Sequence, residues 1–171
     1  VVPAIADLAT ARKPRSLAEA VLGPGPRLVR SILFDKVPDA NWAIRWHQDK
    51  TIAVSSRIEV RGYGPWSTKD RVMSVQPPSR VLEDMISIRI HLDDCGPDNG
   101  ALQVIRGSHR RGKLTGAKAD EWIADHPSES CPVSSGGALM MRPLLLHASP
   151  AAVTPSHRRV VHLDYAVGDL D

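Results

Sequence analysis

The clearest pattern in the chain is Ser87-Ile88-Arg89-Ile90-His91-Leu92-Asp93. Ile88, Ile90 and Leu92 share one face of the strand this predicts, and Ser87, Arg89, His91 and Asp93 share the other. Gly96-Pro97-Asp98-Asn99-Gly100 is a strong turn, after which residues 101–105 return as a strand. Further β-like runs cover 28–35, 41–47, 51–60, 72–75, 138–141, 144–147 and 160–166. Gly62-Tyr63-Gly64-Pro65-Trp66 reads as a loop. Helical signals are few. Ser16-Leu17-Ala18-Glu19 is a capping-box pattern that opens a short helix stopped at Gly23, where Gly23-Pro24-Gly25-Pro26 turns the chain. Residues 79–84 suit one helical turn, and 117–125, with Trp122 and Ile123, a second helix. Many short strands with Gly/Pro-rich turns predict a sandwich or barrel.

The 171 residues suit a single domain, 1–171, with a partly helical segment over 1–27 and the β core over 28–171. Apolar residues make up 42% and charged residues 24%, as in an ordinary soluble globular protein. The net charge of +3 is scattered apart from His109-Arg110-Arg111-Gly112-Lys113, a run that suits a solvated loop. With aromatics at only 4%, a base-stacking surface is not expected, so nucleic acid is excluded as a partner. No apolar run approaches the ~20 residues that span a bilayer. Two cysteines, Cys95 and Cys131, make no disulfide framework and suit reduced thiols in a cytoplasmic protein. The start, Val1-Val2-Pro3, carries neither Met nor a signal-peptide pattern. Nothing in the composition sets the oligomeric state.

Candidate chemistry centres on Trp46-His47-Gln48-Asp49-Lys50. On a strand, His47 and Asp49 point the same way and Gln48 points away. Joined by a third ligand from a neighbouring strand, they make the two-His-one-carboxylate triad of non-haem Fe(II) oxygenases. His147, closing the apolar run of Leu144-Leu145-Leu146, is the candidate third ligand; its plainer reading is a core histidine ending a strand. Arg158 stands eleven positions later and offers a planar fork for a co-substrate carboxylate. His-x-Asp occurs three times, at His47/Asp49, His91/Asp93 and His162/Asp164. His162 has no later histidine to complete a triad. His91 lies inside a long regular strand, whereas His47 and Asp49 sit between two strands, as suits a barrel mouth. The spacing therefore favours His47 and Asp49. A double-stranded β-helix, the cupin-like jelly roll, with a few short flanking helices, is the architecture that brings an early His-x-Asp beside a late His.

Four segments in this order resemble the phytanoyl-CoA dioxygenase-like family of Fe(II)/2-oxoglutarate oxygenases. They are Trp46-His47-Gln48-Asp49; Leu92-Asp93-Asp94 with residues 98–105; Arg106-Gly107-Ser108-His109-Arg110; and His147-Ala148-Ser149 running to Arg158. The resemblance implies a mainly β jelly roll, metal ligation by His47, Asp49 and His147, and binding of the distal carboxylate of 2-oxoglutarate by Arg158 with help from the Ser149 hydroxyl. It places Leu92-Asp93-Asp94 in a second strand rather than a metal motif. It also decides between Arg158 and Arg159, which strand parity alone leaves open. Fe(II) is the implied metal, and 2-oxoglutarate and O2 the implied co-substrates. Related halogenases carry a small residue where Asp49 stands, so the carboxylate implies hydroxylation or a related oxidation of a C–H bond. Arg106 departs from the family's usual proline, and the region before the metal motif is short.

Arg89 and His91 occupy positions that the resemblance turns toward the cavity, where they are commonly aromatic and small. They are candidate substrate contacts, with Trp66 as a further candidate for the pocket wall. A charged Arg89 inside the cavity implies a small-molecule substrate with an acidic or strongly polar group, or an internal carboxylate partner. Two other readings of the same triad are a zinc or manganese hydrolase or isomerase, which needs no carboxylate clamp, and a non-catalytic binding module.

Overall fold

The computed structural model describes residues 3–155 and 157–168. Eleven strands follow two N-terminal helices: α1 (Pro3–Thr10), α2 (Arg12–Leu22), β1 (Arg27–Lys36), β2 (Ile44–His47), β3 (Ile52–Val54), β4 (Trp66–Lys69) and β5 (Val72–Val75). Then come α3 (Ser79–Glu83), β6 (Met85–His91), β7 (Leu102–Val104), α4 (Gly116–Asp125), β8 (Glu129–Cys131), β9 (Ala138–Met141), β10 (His147–Ser149) and β11 (Arg158–Ala166). One antiparallel sheet has the order β1-β11-β6-β9 and a second has β2-β10-β7-β8. The two face each other as a double-stranded β-helix, with a small sheet, β3-β5-β4, at one side. Among the described residues no helix is long and apolar enough to cross a membrane.

The alternation in β6 and β11 decides how the first sheet is used. Ile86, Ile88, Val161, Leu163 and Tyr165 turn outward and pack against Ala9 and Ala18 of α1 and α2. The small alanines let the helices lie close, and the Tyr165 hydroxyl donates to the Ala9 carbonyl at 2.6 Å. The opposite face carries Ser87, Arg89, His91, Arg158, His162 and Asp164, all buried. Cross-strand partners share a face. The register therefore stacks Lys36 beside Arg158, Ile32 beside His162 and Arg89, and Arg30 beside Asp164 and Ser87. The helices have taken the apolar face, so the barrel interior is left to charged side chains. Leu102, Val104 and Met141 form a small cluster, and α4 covers Ile105, Leu114 and Leu146 through Trp122 and Ile123.

Several elements differ from the sequence pattern. Helix α2 starts four residues before the expected capping box, with Ala11 as an N-cap that makes no side-chain bond. Pro14 lies in its first turn, where an absent N–H costs little. Ser16 lies inside the helix and donates back to the Lys13 carbonyl at 2.9 Å. The expected strand 51–60 is paired only over Ile52–Val54. Trp66 begins a strand instead of closing a loop, and β4 and β5 join through Asp70 and Arg71, both at positive φ (51° and 65°). Neither is the Gly or Asn that announces such a two-residue hairpin. The 96–100 turn carries the chain across to the second sheet rather than back along β6. The final histidine run begins its strand at His147 instead of ending there.

Candidate metal and carboxylate site

His47 and His147 are direct cross-strand partners on β2 and β10, and their rings lie 4.2 Å apart. Asp49 is not on the strand. It stands in the loop after β2, held by its backbone N–H donating to the Pro143 carbonyl at 2.9 Å. Asp49 Oδ1 lies 3.8 Å from His47 Nε2, and Oδ2 lies 3.7 Å from His147 Nε2. These gaps exceed hydrogen bonds, and one donor atom from each residue lies within 4.8 Å of the others. Each histidine donates its Nδ1–H to a backbone carbonyl two residues back, His47 to Arg45 and His147 to Leu145, both at 2.8 Å. That fixes the tautomer and leaves both Nε2 lone pairs facing the carboxylate. Burial, against the pull of Asp49 and with His47 nearby, lowers the pKa of His147 and so favours the neutral ring that can act as a ligand. Two imidazoles and one carboxylate fit Fe(II), the metal that the two-His-one-carboxylate set serves in oxygenases.

Gln48, between two ligands, is a residue whose role the alternation argument did not reveal beyond its pointing away. It is buried, and its Nε2 donates to the carbonyls of Leu144 at 2.7 Å and Gly112 at 2.9 Å. Its Oε1 accepts from the Leu114 N–H at 2.8 Å. The amide thus pins the ligand loop to the two segments that flank it.

Arg158, 3% exposed, lies inside the barrel. Its guanidinium donates to the Gly100 carbonyl, to Ser149 Oγ at 3.1 Å and toward Cys95 Sγ at 3.6 Å. Gly100 is at φ +65°, and a Cβ there would stand 2.6 Å from the Pro150 carbonyl, so the cradle requires glycine. Ser149 also donates to Gly100 O at 3.1 Å. Lys36 Nζ enters the same cradle, 3.1 Å from Ser149 Oγ and 3.2 Å from Pro150 O. Arg159 instead points outward and forms a bidentate pair with Asp93 at 2.7 and 2.9 Å. Arg159, with help from its own backbone N–H, holds Asp93 near a pKa of about 2. Asp93 is therefore committed, and among the described residues His91 and Asp93 belong to no group of metal-ligating side chains.

The third His-x-Asp pair is likewise structural. Arg89 donates to His162 Nδ1 at 3.1 Å, and His162 Nε2–H donates to Asp164 at 2.8 Å. Asp164 also accepts from Ser87 at 2.6 Å and pairs with Arg30 at 2.8 Å. His162, Arg30 and Ser87 outweigh burial and hold its carboxyl well below the usual range.

A cavity of about 70 Å³ lies between the sheets, lined by the three candidate ligands with Arg89, Ser149, His162 and Phe34. Arg89 thus reaches the metal cavity, over the Phe34 ring at 5.3 Å. His91 is buried beside Arg89 and Arg158, and burial first, then those cations, lowers it to about 4; both its ring nitrogens lack a partner. It does not line the metal cavity. Trp66 lines a different cavity of about 330 Å³, with Val54, Tyr63 and Val75. The expectation that it walls the metal pocket does not match that placement. Cys95, read as inert, touches Arg158. Arg106, where a proline is usual, lies on the surface and pairs with Glu129.

Solved proteins share this fold. AviO1 from Streptomyces viridochromogenes Tue57 is 26% identical, with a TM-score of 0.67 over 94% of this chain and 60% of its own. The non-heme alpha ketoglutarate dependent carbocyclase SnoK from nogalamycin biosynthesis is 17% identical, with a TM-score of 0.71 over 96% and 58%. EctD from S. alaskensis, solved with 2-oxoglutarate and 5-hydroxyectoine, is 22% identical, with a TM-score of 0.68 over 96% and 52%. The chain thus spans little more than half the length of these structures, and a third of that of EvdMO1 (32%), another match. No curated protein matches it. The profile of the phytanoyl-CoA dioxygenase family matches residues 7–160, and with that span the chain belongs to the phytanoyl-CoA dioxygenase family.

Proposed function

We propose that this domain is an Fe(II)- and 2-oxoglutarate-dependent dioxygenase. It hydroxylates or otherwise oxidises a C–H bond of a small organic metabolite carrying an acidic or strongly polar group. The observation that carries the reading is the meeting of two sites in one barrel: the His47/Asp49/His147 donor set and the buried Arg158–Ser149 cradle. When bound, Fe(II) would supply the site at which O2, the oxidant, oxidises both 2-oxoglutarate, to succinate and CO2, and the substrate C–H bond, one oxygen atom going to each.

The chain's own residues do the positioning. His47, Asp49 and His147 would hold the metal through two imidazole nitrogens and one carboxylate. Arg158 and the Ser149 hydroxyl take the distal carboxylate of 2-oxoglutarate and so set which end of it reaches the metal. Arg89 presents donors to the metal cavity for an acidic group of the substrate. A zinc or manganese hydrolase on the same triad needs no carboxylate clamp, and the buried Arg158 cradle weighs against it. The free thiols Cys95 and Cys131 suit a reducing, cytoplasmic setting.

The test is iron-dependent succinate formation from 2-oxoglutarate, screened with small acidic metabolites. Turnover stimulated by a member of the panel and lost in Asp49→Ala is expected. Failure of the Fe(II)-loaded protein to bind 2-oxoglutarate under anaerobic conditions overturns the reading.

A further inference from the structure

The metal cavity is too small for a whole substrate. Its volume of about 70 Å³ is little more than that of two waters, at about 30 Å³ each in the liquid. A molecule oxidised there places only its reacting end inside, and its remainder lies beyond. Two segments run from this cavity to the one of about 330 Å³. On β1, Arg30, Ile32 and Phe34 line the metal cavity, and Leu28 and Val29 line the larger one. The pairing of β1 with β11 shifts register between Leu28 and Arg30, and such a bulge re-aims the side chains beside it. The other segment runs from the candidate ligand Asp49 through Thr51 to Ala53, in the wall of the larger cavity. Arg30 donates to Thr51 Oγ1 at 3.3 Å and pairs with Asp164, so Arg30 and Thr51 form a threshold between the two spaces. The larger space falls within the roughly 300–1,000 Å³ of small-molecule sites. Val54, Tyr63, Trp66 and Val75 make its wall apolar, with Ile58, 60% exposed, on its lining. The Trp66 indole N–H is buried without a partner, a donor that a ligand oxygen would satisfy. Across the threshold, Arg89 is 5% exposed and its Nε is likewise buried without a partner.

We propose that the substrate is an amphipathic acid lying across Arg30 and Thr51, its acidic head on Arg89 in the metal cavity and its apolar body in the chamber walled by Val54, Tyr63 and Trp66. This rests on the oxygenase reading above and names its substrate class. Charge is read beside the metal and length is read in the outer chamber. A short acid fills only the first space, and a long neutral molecule leaves the Arg89 donors unmet.

The test measures binding rather than turnover. The protein is loaded with Mn(II) and 2-oxoglutarate without oxygen and titrated calorimetrically with butanoate, octanoate and octan-1-ol. Octanoate should bind at least about tenfold more tightly than butanoate, because its extra methylenes leave water, and more tightly than octan-1-ol, because it carries the charge. Val54→Trp fills the chamber, and Ile58→Asp places a carboxylate on its exposed lining. Each should bring octanoate down to butanoate while 2-oxoglutarate affinity stays at the wild-type value. Ile58 is exposed, so its variant decides the matter if Val54→Trp does not fold. Arg89→Leu should cancel the preference for octanoate over octan-1-ol. Octanoate binding no tighter than butanoate in wild type, or keeping its advantage in the chamber variants, overturns the proposal. So does a preference for octanoate over octan-1-ol that survives Arg89→Leu, since head and body are then not read on one molecule. Failure of the Mn(II)-loaded protein to bind 2-oxoglutarate sinks the oxygenase reading instead, and the octanoate series on that protein still decides whether the chamber takes an apolar acid.

Discussion

Replacing Gln48 by leucine tests whether the ligand loop is held by the amide between its two ligands. The substitution keeps side-chain volume and removes three bonds, to Leu144 O, Gly112 O and Leu114 N–H, at 2.7, 2.9 and 2.8 Å. The Leu144 and Leu114 bonds are buried, whereas the Gly112 carbonyl has partial access to water. An unsatisfied buried polar group costs about 1–3 kcal/mol, so two of them predict a loss of roughly 2–6 kcal/mol in unfolding free energy. Urea unfolding should show this as a lower midpoint with little change in slope. The same loss frees the segment that aims His47 and Asp49, and outer-shell changes of this kind weaken metal binding about 10–100-fold. Titration with Fe(II) under anaerobic conditions reads that directly. A variant destabilised by less than about 1 kcal/mol, with wild-type metal affinity, would refute the claim that Gln48 organises the site.

Asp49→Ala should abolish Fe(II) binding, because it removes the only anionic ligand of the set, whereas His91→Ala should leave it intact; iron titration of both decides between the two motifs. Arg158→Lys should weaken 2-oxoglutarate binding by roughly tenfold to a hundredfold, because an ammonium poorly replaces the planar fork, while Arg159→Lys changes it little. The reverse ranking in anaerobic titration would put the clamp on Arg159. Arg89→Leu should raise the substrate KM, and an unchanged KM for the substrate found by screening would sink the idea of an acid-binding Arg89.

Strand β6 was legible because it alternates, and alternation is a local property. The pleat alone puts Ile88 and Arg89 on opposite faces, and the family resemblance says which of them turns inward. The hairpin of β4 and β5 was not legible, because Arg71 adopts positive φ where a glycine would announce the turn. The destination of the chain after Gly100 was not legible either, since a turn motif states that the direction changes and not which sheet receives the next strand. Helix α2 begins before its apparent cap because its amphipathic face, with Ala18 against β6 and β11, decides the start more strongly than a single serine does. Trp66 shows the limit of composition: an aromatic near the metal motif in sequence lies across a different cavity in space.

The charges inside the barrel explain why β11 parity was ambiguous in sequence and is decisive in space. Val161 and Leu163 read equally well as core or as cavity wall until α1 and α2 claim them. Once they face outward, Arg158, His162 and Asp164 must face inward. Asp164 is already satisfied by Arg30, His162 and Ser87. That leaves Lys36, Arg89 and Arg158 buried, with Asp49 the remaining carboxylate at the cavity. A divalent metal adds two positive charges to that excess, and 2-oxoglutarate, a dianion, removes two. The balance is still positive, and burying it without a counter-ion is costly. Lys36 and Arg158 share the Ser149 hydroxyl, whereas Arg89 stands apart, hydrogen-bonded to His162 Nδ1 and open to the metal cavity. The cation that remains unmatched is therefore the one best placed to select an acidic substrate.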